Sequence, residues 1–160
     1  MRIVVDTREQ APFHFVGQRY EDVAVESGAL AVGDYSLAGL TDKVAVERKS
    51  LPDLVQCLGR ERGRFDRELQ RGAALEAFAV VVEGSWADLA SGSYRGQLNP
   101  HAACQSVAAF MCRYRVPFLF AGSRAAAEYV CWSFLRQYLE GARKRLQAIV
   151  RAHGDGKEAA

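Results

Sequence analysis

Apolar residues fall into short, strand-like runs in the first half of the chain and into helical spacing in much of the second. Arg2–Asp6 is a short apolar run that ends in a carboxylate. Residues 10–29 are less regular, and QAPFHF and EDVAVES read as short strands around a turn at Gly17. Tyr35–Ala38, a Gly39–Asp42 turn and Lys43–Lys49 form a hairpin signal, with glycine and aspartate between β-prone runs. Ser50-Leu-Pro-Asp53 reads as a capped helix start, and the helical pattern resumes after Gly59. Phe78–Val82 is a continuous apolar run, as expected of a buried central strand. Trp86–Leu89 suggests a helical turn, and residues 90–97 a loop rich in small residues. Asn99-Pro100 opens a helix to about Arg115, and Val116–Ala121 is another buried strand. Ser123 caps a last helix to about Val150. The alternation after residue 43 predicts an α/β fold, a mixed central β-sheet flanked by α-helices.

Composition narrows the picture only a little. At 160 residues the chain reads as one domain, residues 1–150, with 151–160 (RAHGDGKEAA) expected to be a disordered tail. A net charge of +2 is too small to argue for nucleic acid, so the distribution of charge has to carry that argument. The four cysteines, Cys57, Cys104, Cys112 and Cys131, are far apart and contain no C-x-x-C pair. They read as neither a zinc site nor a disulfide framework, and a reducing cytoplasm fits them. No apolar stretch approaches the ~18 residues of a membrane span, so no membrane partner is expected.

The chemistry concentrates between Gly33 and Asp53. In a strand, alternate side chains share a face, so Ala45, Glu47 and Lys49 point one way and Val44, Val46 and Arg48 the other. Glu47 and Lys49 then stand roughly 7 Å apart along the strand. Closing the hairpin brings Asp34 to the same end. Two carboxylates and a lysine suit a hard cation such as Mg²⁺, with Mn²⁺ as a substitute, bound by carboxylates, substrate phosphate and water. The Arg48 carbonyl adds an oxygen, and Lys49 would orient or deprotonate a water or stabilise developing charge. Asp6, Arg8 and Glu9 open from the first strand, and three or four carboxylates are expected to lie together. The plainer alternative is a salt-bridged surface hairpin and a charged turn. Asp53 is a helix-cap partner of Ser50 and a minor site candidate. Arg60, Arg64, Arg67 and Arg71 recur at i, i+4, i+7 and i+11, a helix face suited to a phosphate backbone unless Glu61, Asp66 and Glu68 neutralise it or Gly63 breaks the helix. Tyr94, Arg95 and Gln97 are loop candidates for nucleotide contact, and Arg143–Arg145 is a second basic cluster. The broad apolar face of the last helix serves either the core or a dimer.

Gly33-Asp34-Tyr35, Glu47-Arg48-Lys49 and Asp53 resemble the signature of the XPF-type nuclease domain, of the restriction-endonuclease-like PD-(D/E)xK superfamily. The resemblance extends to Asp6-Thr7-Arg8-Glu9, to Gly63-Arg64-Phe65 with Leu69-Gln70, and to Val80–Gly84, within residues 1 to about 140. It implies a restriction-endonuclease-like fold and Mg²⁺-dependent hydrolysis of DNA, on branched or junction substrates. Asp34, Glu47 and Asp6 would hold metal, Lys49 would assist the nucleophile, Arg8 and Arg48 would hold phosphate or stabilise the cluster, and Glu9 would ligate or position a second ion or the water. The family's helicase region and tandem helix-hairpin-helix module find no room in this length. Grip on DNA is therefore expected from a homodimer or a heterologous protein partner, and a bacterial or phage source is expected. Two alternatives are a catalytically silent DNA-binding or scaffold subunit and a sequence-specific restriction-type nuclease. The retained Asp, Glu and Lys speak against the silent subunit.

Overall fold

The computed structural model describes residues 1–154. Its sheet has six strands in the order β2-β1-β3-β4-β5-β6. These are β1 (Arg2–Asp6), β2 (Ala24–Gly28), β3 (Tyr35–Leu37), β4 (Val44–Lys49), β5 (Ala77–Val82) and β6 (Phe118–Phe120). β3 runs antiparallel to both β1 and β4, while β1–β2, β4–β5 and β5–β6 are parallel. The sheet is therefore mixed, as the sequence predicts, and helices cover both faces.

Period-two alternation sorts the core. Ala45, Phe78, Val80 and Val82 pack with Leu54 and Leu58 of α1 (Leu51–Leu58), Phe65 and Leu69 of α2 (Arg62–Gly72), Leu89 of α3 (Trp86–Ser91) and Val107 and Phe110 of α4 (Pro100–Tyr114). Val44, Val46, Val81, Ile3 and Tyr35 face the other way, onto Ala127, Cys131 and Leu135 of α5 (Arg124–His153). β5 is buried along almost its whole length, which accounts for its unbroken apolar run. The Ser50, Asn99 and Ser123 side chains accept from the N–H of Asp53, Ala102 and Ala126 and fix three helix starts.

Three expectations need correction. QAPFHF is not a strand. Phe13 stacks on Tyr35 with ring centroids 5.1 Å apart, and the Phe13 N–H donates to the Tyr35 hydroxyl at 2.9 Å. Glu128 Oε1 accepts the N–H groups of His14 and Phe15 at 2.9 and 2.7 Å. Side chains, not a sheet ladder, satisfy this backbone, so the aromatic alternation imitates a strand. The second correction concerns the arginines. The chain breaks at Gly59 before α2 begins at Arg62, which leaves Arg60 outside the helix and removes the register of a four-arginine stripe. Gly63 lies inside α2 and does not break it. Third, α5 continues through Arg151–His153, the start of the expected disordered tail; residues 155–160 lie outside the described residues.

Gly33 ties the fold to the acidic motif. Its φ is +78°, and a Cβ there would lie 2.9 Å from the Ala45 Cβ and 3.1 Å from the Val46 carbonyl oxygen. Gly33→Ala is expected to destabilise the protein by about 1–3 kcal/mol, read as a fall in melting temperature of roughly 3–10 °C. An unchanged melt would show that the close approach of this turn to β4 is not required.

Candidate active site

Asp34 sits just before β3, where three strands meet. Its N–H donates to the Val46 carbonyl of β4 at 2.8 Å, and its own carbonyl accepts the Asp6 N–H of β1 at 2.8 Å. Its carboxylate Oδ2 accepts the Arg48 N–H at 2.7 Å, and Oδ1 has no hydrogen-bond partner among the described residues. Backbone bonds to β1 and β4 thus aim this side chain at a cleft lined also by Arg8, Arg48, Lys49, Asp53 and Arg64.

Glu47 and Lys49 lie on the expected common face of β4, and their side chains form an ion pair. Glu47 is 3% exposed. Burial, and then the nearby Asp34 charge, push its carboxyl well above the ordinary range. Burial likewise raises Asp34 to about 6, although the Arg48 N–H and Lys49 oppose the rise. Burial works against the charge on Lys49, but Glu47 and Glu68 more than offset it and hold the amine protonated. Lys49 is therefore a cation and hydrogen-bond donor in the metal-free site, not a proton acceptor. Cys57 also lines the cleft, but burial pushes its thiol up to about 11, so it is no thiolate nucleophile.

The first-strand motif is placed differently from the expectation. Asp6 is buried. Its two oxygens take the Arg8 Nε and Nη2 at 2.7 and 3.0 Å, the Arg8 N–H at 2.9 Å and the Leu30 N–H at 2.7 Å. The Arg8 pairing above all holds Asp6 at about 2. Glu9 in turn accepts Arg48 Nε and Nη2, both at 3.0 Å. Burial opposes the charge on Glu9 most, yet the Arg48 guanidinium outweighs it and keeps the carboxyl below its usual range. Three or four carboxylates therefore do not assemble: among the described residues no three Asp, Glu, His or Cys side chains are grouped to hold an ion. Arginines have taken Asp6 and Glu9 as partners.

Three further residues complete the arrangement. Glu68 of α2 lines a neighbouring recess with Asp34, Lys49, Arg64 and Arg71, and lies 4.0 Å from the Lys49 amine. The spacing 64, 68, 71 puts one acid between two arginines on the same helix face, a signal present in the sequence. Glu83, at the end of β5, accepts both Arg48 at 3.1 Å and Arg124 at 2.6 Å. Arg124 also donates to the Ala11 and Pro12 carbonyls at 2.8 Å, which staples the segment after Glu9 to α5. No local spacing links Arg124 to residues more than a hundred positions away.

The remaining candidates divide. Arg64 and Arg71 border the acidic recess. Arg67 is exposed and borders neither the recess nor the cleft. Arg60 joins Arg95 and Gln97 along a separate groove. Tyr94 packs on the core and donates its hydroxyl to the Leu98 carbonyl at 2.8 Å. Asp53 accepts the Ser50 hydroxyl at 2.6 Å and also borders the cleft.

The donor set fits a hard divalent ion. Asp34 and Glu47 are oxygen ligands of the preferred kind, and both are pushed toward protonation, first by burial and then by neighbouring carboxylates, Glu9 and Glu68 for Asp34 and Asp34 for Glu47. Two carboxylates with water and substrate phosphate suffice for Mg²⁺, which rarely occupies an all-protein cage.

Sheet order, motif placement and cleft together define an XPF-type nuclease domain. A profile of the ERCC4 domain matches residues 5–131, and the chain belongs to that family. XPF from Aeropyrum pernix superposes with a TM-score of 0.68 at 25% identity, over 86% of this chain and 61% of that one. XPF from Aeropyrum pernix in complex with DNA gives 0.63 at 25% identity, over 88% and 66%. This chain therefore covers less than two thirds of the length of those XPF chains. No curated protein matches it.

The Asp34 charge has a measurable consequence. Its folded pKa, about 6, lies above the ordinary 3.8, so the folded chain binds the proton more tightly and loses stability as pH rises through that window. Asp34→Asn removes the charge and keeps an oxygen for the Arg48 N–H. At pH 8 without metal this variant is expected to be about 1–3 kcal/mol more stable than the wild type, with little difference at pH 3.5. A variant less stable than the wild type at pH 8 would mean that the ionised Asp34 stabilises the fold.

Proposed function

We propose that the chain is a divalent-metal-dependent endonuclease that hydrolyses DNA phosphodiester bonds, with Mg²⁺ as the cofactor and Mn²⁺ as its substitute. The observation that carries this is the Asp34, Glu47 and Lys49 constellation beside an arginine-bordered cleft. A bound ion would supply Lewis-acid charge to the phosphate and acidify a water. Asp34 and Glu47 would hold that ion. The protonated Lys49 would stabilise negative charge that grows on the phosphate in the transition state. Arg8, pinned by Asp6 yet 73% exposed, would meet a phosphate of the substrate, as would Arg64 and Arg71. Arg48, held by Glu9 and Glu83, positions the backbone N–H that orients Asp34.

Branched or junction DNA is the proposed substrate, supported by the family and by the XPF relative solved in complex with DNA. Pairing with a second copy or another polypeptide is proposed from the end of α5, where Leu146, Ile149 and Val150 stand exposed at i, i+3 and i+4. Among the described residues no helix is long and apolar enough to cross a membrane.

Flap, fork, nicked and unbroken duplex DNA with Mg²⁺ provide the test. The wild type is expected to cut branched substrates. Asp34→Asn, Glu47→Gln and Lys49→Ala should each lower the cleavage rate by at least ~100-fold while DNA affinity changes only a few-fold. Binding without cleavage under both Mg²⁺ and Mn²⁺ would overturn the nuclease reading in favour of a silent subunit.

A further inference from the structure

Beside the cleft, on the far side of Gln56, lies a second groove. Val55 and Leu98 line its apolar part, and Gln56, Gln97, Arg60 and Arg95 its polar part. Its volume is about 380 Å³, within the ~300–1,000 Å³ of small-ligand clefts. Gln56 borders both this groove and the cleft that holds Asp34 and Lys49, so the two lie side by side.

The wall formed by residues 92–98 is firmly built. Gly92 closes α3 in a left-handed turn, and the Ser93 N–H donates to the Asp88 carbonyl at 2.9 Å. Tyr94 turns inward and fastens to Leu98. Gly96, at φ +148°, presses on Val55 so closely that a Cβ would meet Val55 Cγ1 at 3.0 Å. With Tyr94 turned in, Arg95 and Gln97 are left exposed at the rim. No carboxylate lines the groove, so the two guanidinium charges favour an anion.

We propose that this groove receives an unpaired nucleotide of the DNA, adjacent to the phosphate held in the cleft. The idea rests on the nuclease reading and specifies its substrate. Each glutamine amide offers both a donor and an acceptor, which matches the edge of a base. A guanidinium plane stacks on a base face or grips its phosphate. In a duplex the Watson–Crick edges are paired and the faces stacked, so a slot that takes a base by its face and its pairing edge fits an unpaired nucleotide. Adjacency to the Asp34 cleft across Gln56 favours a nucleotide of the same strand over a separate acidic ligand.

Equilibrium binding without divalent ion, where no cleavage occurs, tests this apart from catalysis. The probes are a fork with unpaired arms and a blunt duplex of equal length. The double variant Gln56→Ala/Gln97→Ala changes no charge, and both side chains are exposed, so an unchanged thermal melt serves as the folding control. Its affinity for the fork is expected to fall about fivefold, the loss of one or two hydrogen bonds, while duplex affinity stays within about twofold. Arg60→Ala/Arg95→Ala should also weaken the fork more than the duplex. Equal losses on both probes, or none, would overturn the nucleotide slot and leave the nuclease reading standing. A wild type that binds neither probe would overturn both.

Discussion

The acidic site exists because one residue closes three strands together. Asp34 donates its N–H to β4, gives its carbonyl to β1 and accepts the Arg48 N–H on its carboxylate. Gly33 makes this possible by taking a left-handed turn against Ala45. The Asp34 backbone cannot shift without breaking bonds to two neighbouring strands, the Arg48 N–H holds its carboxylate, and β4 carries Glu47 and Lys49 in fixed register beside it. The chemistry is thereby placed on rigid sheet, with the substrate side left to helices and loops.

Electrostatics then divide the charged residues into two sets. Asp6 with Arg8, and Glu9 with Arg48, are matched pairs whose carboxyls stay low. Asp34 and Glu47 are not fully matched, because one lysine serves two acids and Glu68 adds a third negative charge nearby. The first set builds the frame and the second retains an unmet demand for positive charge. Stability given up at the second set is the usual accompaniment of a functional site.

Local periodicity made much of this legible. The alternation through Val44–Lys49 put Glu47 and Lys49 on one face and Arg48 on the other, and the hairpin brought Asp34 to Glu47 and Lys49. The serine and asparagine caps marked the helix starts because capping is a short-range interaction. Long-range pairings were not legible. Arg124 and Glu128 reach back across the fold to hold residues 11–15, and nothing near either end in sequence encodes that. The arginine stripe misled because the helix was expected to resume directly after Gly59, whereas α2 begins at Arg62 and leaves Arg60 outside it. Asp6 misled for the opposite reason: its partner Arg8 is only two residues away, and a turn rather than a metal site claims the carboxylate.

The central claim is that Asp34 and Glu47 form one binding site for a divalent cation. Calorimetric titration of Mg²⁺ into the DNA-free chain near neutral pH addresses it directly. The account predicts saturable binding that weakens at least ~10-fold in both Asp34→Asn and Glu47→Gln, with the ion raising the melting temperature of the wild type alone. Binding that survives both substitutions unchanged would place the cation elsewhere and contradict the account.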